Sequence, residues 1–169
     1  LLGDYSRRVK DEVLSFGELI SVKTVTHLLQ KQGVNAHFAD TRKLIITNGT
    51  FGNAQPNDTR SREQVVKHFA KYNGNTVHVV TGFIASNEDN QTTTLGRNGS
   101  NYTASLLANY LDAGELQNYT HVDGIFTANP DMVPDAQKIE RLTYSEANEL
   151  ANFGTSVLHA KTIIPLIEK

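Results

Sequence analysis

Apolar residues separated by three or four positions run through the first 30 residues of the chain. They form one series that ends at Val13 and a second that runs from Leu19 to Leu29, with Gly17 between them. Helical spacing of this kind predicts the end of an amphipathic helix before Gly17 and a long helix with one buried face after it. Gly33 is the residue type that commonly ends a helix, so we expect the second helix to stop there.

The pattern changes to strand type after this helix. Residues 34–38 alternate between apolar and polar side chains, and residues 44–47 form a second short apolar run. Both runs predict short strands. Residues 76–84 are a nearly continuous apolar run with many β-branched side chains. Such a run predicts a single strand that is buried on both faces, as in a parallel sheet covered by helices.

Four further helices are predicted from capping residues and helical spacing. They begin at Asp58 or Thr59, at Ser100 or Asn101, at the capping box formed by Thr143 and Glu146, and near Val157, with Asn73-Gly74 closing the first, Gly114 ending the second, and Pro165 kinking or ending the last. Residues 119–126 are predicted to be extended. This alternation of strands and helices predicts a three-layer α/β domain with a mostly parallel sheet.

The amino-acid composition and net charge limit the kinds of partner that the chain is expected to bind. The chain has 169 residues, 38% of them hydrophobic and 20% charged, which is typical of one soluble globular domain. Its net charge of −2 gives no basic field, so we predict neither a nucleic-acid partner nor a membrane partner. The absence of cysteine excludes disulfides and thiol nucleophiles and favours a cytoplasmic location. No apolar run approaches the roughly 20 residues that span a bilayer.

The segment between the predicted buried strand and the next predicted helix reads QTTTLGRNGSNY. Gly96 and Gly99 let the backbone approach a ligand closely, while Ser100 and Asn101 lie where the free N–H groups of a helix amino terminus favour an anion. The guanidinium of Arg97 can bind a carboxylate through two parallel hydrogen bonds. The same residues are equally consistent with a surface turn, an N-cap and a solvated arginine.

Five stretches resemble the aspartokinases of the amino acid kinase family in order and spacing. They are SFGE at 15–18, FADTR at 38–42, TTTLGRNGSN at 92–101, THVDGIFTANP at 120–130 and FGTSVLHAKT at 153–162. The arrangement most resembles the kinase part of bifunctional aspartokinase–homoserine dehydrogenases. The resemblance implies a three-layer α/β/α sandwich, which agrees with the fold class predicted from the pattern.

The resemblance assigns a substrate pocket. Glu18 resembles the carboxylate that fixes the substrate amino group, and Arg97 resembles the arginine that binds its α-carboxylate. The same family pattern adds Phe83, Gly99, Ser100 and Asn101 to the pocket. As alternatives, Glu18 stabilises its own helix dipole and Phe83 is only a core residue.

The resemblance also assigns nucleotide-binding positions. They are Thr120, His121, Phe126, Asp131 and Ser156. Of these, His121 is equally consistent with a neutral strand residue, whereas a protonated ring would help to bind phosphate.

Several of these positions depart from the family pattern. The family has tyrosine at Phe126, arginine at Asp131 and lysine at Ser156, and an aspartate in place of Asn101. Loss of the arginine and the lysine removes two cations that offset triphosphate charge, so we predict weak nucleotide affinity. Lys138 and Lys161 are close enough in sequence to compensate.

The Lys-Phe-Gly-Gly strand that opens the catalytic domain in this family is not found in the sequence. We therefore expect residues 1–169 to be a partial catalytic domain, with that strand, the regulatory domains and any dehydrogenase domain absent. Because phosphoryl transfer depends on positioned cations and phosphate-binding glycines, we expect the chain by itself to bind little and to be inactive. No structural or catalytic metal site held by the protein is predicted.

For the parent protein, the resemblance implies ATP-dependent phosphorylation of the L-aspartate side chain to 4-phospho-L-aspartate, the first step toward lysine, threonine and methionine. ATP with Mg²⁺ is the expected cofactor pair, NADP is expected only if a dehydrogenase domain follows, and the parent is expected to be a homo-oligomer. The alternative is a non-catalytic module that binds aspartate or an effector and has a degenerate nucleotide site. Titration with nucleotide separates the two hypotheses.

Overall fold

The computed structural model describes residues 6–120, 124–129, 131–152 and 160–167. The helices in these ranges are α1 (Arg7–Lys31), α2 (Asp58–Phe69), α3 (Gly99–Tyr110), α4 (Tyr144–Asn152) and α5 (Ala160–Ile167), with a short 3₁₀ turn at Thr41–Lys43. The strands are β1 (Ala36–Ala39), β2 (Ile46–Thr47), β3 (Val77–Val80), β4 (Ile84–Asn87) and β5 (Thr92–Thr94). None of the helices within these ranges is long and apolar enough to cross a bilayer.

The strands form two small sheets. Strands β1 and β3 pair in parallel, with Ala36 opposite Val77. In the second sheet β4 is central, pairing in parallel with β2 and antiparallel with β5. Helix α1 packs on strands of both sheets, and α3 packs against α2 and α5. The predicted α/β class with mostly parallel pairing is confirmed.

The buried core lies where α2 and α3 meet the strands. Its members are Ala39, Leu44, Ile45, Val65, Ala85, Leu95, Leu106 and Tyr110. Each of them is at most 3% exposed, so this cluster supplies the apolar burial that holds the helices on the sheets.

Helix α1 is continuous through Gly17, so the predicted break at that residue is wrong. A glycine inside a helix costs only about 1 kcal/mol relative to alanine, and the turns on both sides are able to carry it. The predicted buried face is only partly right, because Leu19 and Val22 are buried but Ile20 is 65% exposed and Leu28 is 56% exposed.

Polar residues occupy much of the buried face of α1 instead. Asp11, Ser15 and Thr26 are each at most 4% exposed. Ser15 and Thr26 donate hydroxyl hydrogen bonds of 2.7 Å to backbone carbonyls one turn earlier in the helix. These local bonds satisfy the hydroxyls without a tertiary partner, which is why the apolar pattern alone misplaces the face.

The predicted single strand over residues 76–84 is also wrong, because a break in the extended backbone separates β3 from β4. Phe83 has a left-handed backbone with φ of 66°, and the two strands join different sheets. Two fully buried threonines stabilise the break. The backbone N–H of Thr41 donates to Thr81 Oγ1 at 2.9 Å, and the Thr41 hydroxyl donates to the carbonyl of Ile84 at 2.6 Å.

The other helix predictions are largely confirmed. The capping box of α4 is present, with Thr143 N–H donating to Glu146 at 2.8 Å and Glu146 N–H donating to the Thr143 hydroxyl at 3.2 Å. Helix α3 ends at Tyr110 and is followed by a left-handed Asp112 (φ 53°), so it stops before the predicted Gly114. Pro165 lies inside α5 and does not end it.

The sequence pattern missed strand β5, which lies within the segment read as a glycine-rich loop. In the segment predicted to be extended, the described residues make one antiparallel bridge between Phe126 and Lys138. Val157 and Leu158, predicted for the last helix, lie outside the described residues.

Five ring side chains pack together beside β1, β3 and α2. The ring of His78 lies 4.5 Å from Tyr72 and 4.7 Å from Phe69, and the rings of His37 and His68 lie 6.3 Å and 6.2 Å from it. His68 Nε2 and His78 Nδ1 are buried without a hydrogen-bond partner. Burial lowers the pKa of His68 and of His78, and the positive charges of Lys71 and of the neighbouring histidines lower them further.

This cluster predicts that the folded protein loses stability as the pH falls below about 6.5, the ordinary pKa of histidine. The unfolded chain takes up protons there, whereas the folded state resists them because its pKa values are lower, so acid favours unfolding. His78→Gln should flatten this dependence when the free energy of unfolding is measured by urea titration between pH 8 and pH 5. His27→Gln, at an exposed position on α1, is the control and should leave the slope unchanged. An unaltered slope in His78→Gln would contradict the prediction.

Candidate functional site

A cleft of about 450 Å³ lies between α1, the turn after β3 and the loop that leads into α3. Its lining consists of Glu18, Phe83, Gly96, Arg97, Asn98, Gly99, Ser100 and Asn101. All six residues predicted to bind substrate are therefore brought to one cleft from three separate segments of the chain. Their roles in binding stay a prediction.

The left-handed turn at Phe83 is locked to its neighbours by backbone hydrogen bonds. Its N–H donates to Thr103 Oγ1 at 3.1 Å, and its carbonyl accepts from the N–H of Leu95 at 2.9 Å. Thr103 in turn donates to the carbonyl of Gly99 at 2.9 Å. The turn is thereby fixed against the first turn of α3, which brings both segments to the same cleft.

Glycines make this close approach possible. A Cβ on Gly99 would lie 2.7 Å from Cδ2 of Phe83 and 3.2 Å from its Cα, and a Cβ on Gly82 would lie 2.8 Å from Cβ of Ser100. Real Cβ atoms do not approach other atoms so closely. Only glycine at both positions lets the backbone of the helix start reach the cleft.

One side of the cleft is suited to an anion. Asn98 caps α3 in a left-handed conformation without a side-chain hydrogen bond, and Gly99 N–H donates to the carbonyl of Gly96 at 3.0 Å. The N–H groups of Ser100 and Asn101 in the first helical turn have no intrahelical acceptor, and the helix dipole adds partial positive charge. The exposed guanidinium of Arg97 stands beside them.

The other side offers a carboxylate. Glu18 is half-buried on α1, across the cleft from the loop. Within the described residues, the ion pairs are those between Arg42 and Asp40 and between Arg60 and Glu88, so neither Glu18 nor Arg97 is neutralised by a protein charge. An arrangement of one acid opposite a guanidinium and helix N–H groups suits a ligand that carries both an ammonium and a carboxylate.

The predicted nucleotide positions do not join this lining. Thr120 and Asp131 are exposed, and Phe126 is half-buried in its bridge with Lys138. The backbone N–H of Asp131 donates to Asn129 Oδ1 at 3.0 Å. His121 and Ser156 lie outside the described residues.

The two candidate compensating lysines differ in their contacts with the protein. The ammonium of Lys161 donates to Asn53 Oδ1 and lies 3.5 Å from the carbonyl of Leu95. The side chain of Lys138 runs along Gly124, where a Cβ would lie 3.0 Å from its Cε. Lys161 thus ties α5 to the loop that carries Arg97, a role that the sequence did not indicate.

A second cleft, of about 530 Å³, lies beyond the carboxyl ends of β2 and β4. Its lining is Thr47, Asn48, Gly49, Gln55, Pro56, Asn57, Asn87, Glu88 and Asp89. It is larger than the first cleft but contains two acids and no basic side chain. A ligand carboxylate would meet repulsion there, so the smaller cleft is the better candidate for a ligand that carries one.

The sequence also resembles known proteins over almost its whole length. The family described as "Amino acid kinase family" matches residues 3–169. Lysine-sensitive aspartokinase 3 of Escherichia coli K12 is 38% identical over 162 residues, which are 96% of this chain and 36% of that protein. Bifunctional aspartokinase/homoserine dehydrogenase 1 of Zea mays chloroplasts is 34% identical over 169 residues, which are 99% of this chain and 18% of the maize protein.

Solved structures give the same result. E. coli aspartokinase III in complex with aspartate and ADP matches with a TM-score of 0.92 and 37% identity, covering 99% of this chain and 37% of that one. The aspartate kinase of Clostridium acetobutylicum matches with a TM-score of 0.79 and 26% identity, covering 94% of this chain and 34% of the clostridial chain. These matches confirm the predicted fold. This chain spans only 36% of the length of its E. coli relative, lysine-sensitive aspartokinase 3.

The glycine contacts predict that Gly99→Ala deforms the cleft. The ring of Phe83 is able to move away from a new methyl group, but its Cα is not, so we expect a loss of about 1–3 kcal/mol of stability. Urea unfolding measures this loss. Gly74→Ala is the matched control, because a Cβ there meets nothing within 4 Å and its effect should stay within about 0.5 kcal/mol. Equal losses in the two variants would show that the close approach does not matter.

Proposed function

This chain belongs to the amino acid kinase family, and we propose that the protein containing it uses ATP to phosphorylate the side-chain carboxylate of L-aspartate. The product is 4-phospho-L-aspartate, and the reaction opens the biosynthesis of lysine, threonine and methionine. Support comes from relatives of two kinds, stand-alone aspartokinases and bifunctional aspartokinase/homoserine dehydrogenases.

The observation that carries the proposal is the pairing of charges across the cleft. Aspartate has one ammonium and two carboxylates. Glu18 would bind the ammonium, while Arg97 and the N–H groups at the start of α3 would bind the α-carboxylate. Phe83, Gly99, Ser100 and Asn101 would form the wall that orients the side chain.

In the proposed reaction, an oxygen of the aspartate side-chain carboxylate attacks the γ-phosphorus of ATP in line with the bond to the β-phosphate. The new acyl–phosphate bond forms as that bond breaks and ADP leaves, with no covalent enzyme intermediate. Glu18 and Arg97 contribute by holding the aspartate. When they bind its α-ammonium and its α-carboxylate, only the side-chain carboxylate is free to react.

The nucleotide would lie along the segment that contains Thr120, His121, Phe126, Asp131 and Ser156. The carbon chain of Lys138 packs against Gly124 in this segment, and its ammonium would bind a phosphate group there. Mg²⁺ would arrive with the nucleotide and offset phosphate charge, since it is held mainly by phosphates in such sites. Among the residues that the structure describes, there is no group of three His, Asp or Glu side chains positioned as metal ligands.

Further parts of the proposal follow from the relatives alone. A homo-oligomeric parent in the cytoplasm is expected, and NADP would be used only if a dehydrogenase domain follows. The competing function is a module that binds aspartate or an effector without catalysis. The acidic Asp131 in place of a cation is the observation that favours it. Absence of Mg²⁺-ATP binding at millimolar concentration, with aspartate binding retained, would select that alternative.

Replacing Arg97 tests the proposed pocket. In the full-length protein, Arg97→Ala should weaken aspartate binding by on the order of 2–4 kcal/mol, since it removes one member of a charge pair and leaves the carboxylate without its partner. The KM for aspartate in a coupled assay for ADP measures the loss, and Glu18→Gln should act in the same direction without unfolding the domain. Arg60→Ala, which removes the exposed arginine paired with Glu88, is the control and should leave that KM unchanged. An Arg97→Ala enzyme with a wild-type KM would rule this residue out of the pocket.

Restoring a cation tests the nucleotide segment. Asp131→Arg should tighten Mg²⁺-ATP binding about tenfold, because it replaces a repelling carboxylate with a donor of charge-assisted hydrogen bonds. Calorimetric titration of the full-length protein measures the dissociation constant. Asp89→Arg makes the same change of net charge at an exposed turn and should have little effect. If both variants bind ATP equally, Asp131 does not face the nucleotide.

A further inference from the structure

Asp11 is a buried carboxylate that the proposed function does not use. It is 1% exposed and lies on the buried face of α1. Its Oδ2 accepts hydrogen bonds from the N–H of Gly52 at 2.8 Å and from the N–H of Thr94 at 2.9 Å. Its Oδ1 accepts from the Thr94 hydroxyl at 2.9 Å. All three partner groups are hydrogen-bond donors, so they satisfy a carboxylate, which can only accept.

These hydrogen bonds join the two walls of the cleft. Glu18 follows Asp11 by two helical turns on the same helix, about 10 Å along its axis. Thr94 is the last residue of strand β5, and Arg97 follows it by three residues. A displacement of β5 relative to α1 would therefore change the spacing between the Glu18 carboxylate and the Arg97 guanidinium.

Gly52, whose N–H donates to Asp11, lies in the loop that packs against the bend just before Arg97. Gly96 has a left-handed backbone with φ of 77°, and a Cβ on it would lie 3.2 Å from the carbonyl oxygen of Gly52 and 2.7 Å from Asn53 Oδ1. The N–H of Ala54 donates to the carbonyl of Thr94 at 2.9 Å. Asp11 thus holds both the strand that enters the bend and the loop against which the bend packs.

We propose that Asp11 is a positioning residue that sets the distance between Glu18 and Arg97 and thereby lets the two side chains bind the α-ammonium and the α-carboxylate of aspartate at the same time. This inference rests on the proposed function, since it assigns Asp11 a task at the same site. Asp11 does not line the cleft, so it acts through Thr94 and the loop at residues 52–54 and does not touch the substrate.

The test must separate positioning from simple stability, because removing a buried carboxylate leaves three donors without an acceptor. Asp11→Ala is therefore a poor variant, and Thr94→Val is better. It deletes only the hydroxyl bond to Oδ1 and keeps the side-chain shape and the backbone bond. Thr93→Val is the matched control, because Thr93 is the adjacent residue in β5, equally buried, and its hydroxyl bonds to Thr47 and not to Asp11.

In the full-length protein, we expect Thr94→Val to raise the KM for aspartate about tenfold, with the KM for ATP changed less than about twofold. Thr94→Ser keeps the hydroxyl and should restore the aspartate KM. Thr93→Val should lower the melting temperature by a similar amount without the selective effect on aspartate. Equal effects of Thr94→Val and Thr93→Val on the aspartate KM, or equal changes of the two KM values in Thr94→Val, would overturn the inference.

A double-mutant cycle locates the effect. If Asp11 works by placing Arg97, then Thr94→Val adds little to the aspartate KM in an Arg97→Ala background, whereas independent effects would multiply. Multiplying effects would overturn the inference while leaving the proposed function intact. Failure of the proposed function has a different signature: the wild-type protein would then form no ADP in response to aspartate, and both proposals would be rejected.

Discussion

The backbone at Gly82 and Phe83 lies against the first turn of α3 with no room for a Cβ on Gly82 or on Gly99. This contact requires a left-handed residue between β3 and β4, and the chain accepts one at Phe83 because Thr103 and Leu95 bind its backbone groups. Such a conformation is unfavourable for a residue with a side chain, so its neighbours must hold it in place. Without it, β3 would continue into β4 and the amino end of α3 would have no cleft to face.

Buried threonine hydroxyls connect segments that the strand ladders do not pair directly. Thr41 and Thr81 share a hydroxyl–hydroxyl hydrogen bond of 2.7 Å, and Thr47 and Thr93 share one of 2.8 Å. Each pair links segments about 40 residues apart in the chain, in places where an apolar pair would leave backbone groups unsatisfied. A β-branched side chain suits a strand, and its hydroxyl supplies the polar partner, so threonine meets both requirements at once.

The residues proposed to bind aspartate and the segment proposed to bind the nucleotide differ in the charges that they offer. Substrate charge would be met by residues that come from rigid elements, with Glu18 on a helix of 25 residues and Arg97 between a strand and a helix. The segment expected to meet the nucleotide carries Asp131 where the family resemblance implies a cation, and the ammonium of Lys161 already donates to Asn53. Under the proposed function, the described residues therefore supply more contacts for aspartate than for the nucleotide. That difference is the reason why a binding function without catalysis is the competing hypothesis.

Local sequence determined the elements whose signals are short in range. Helix spacing and the capping box at Thr143 and Glu146 identified the helices and the fold class, and the resemblance of short motifs to aspartokinases identified six of the residues that line the cleft. Only the tertiary structure decided that residues 76–84 are two strands, that α1 buries Asp11 and exposes Ile20, and that Asp11 reaches Thr94. The physical reason is that a pattern of apolar residues reports which side chains avoid water. It does not report which distant donor will satisfy a buried carboxylate or hydroxyl, because that partner is chosen when the whole chain has folded.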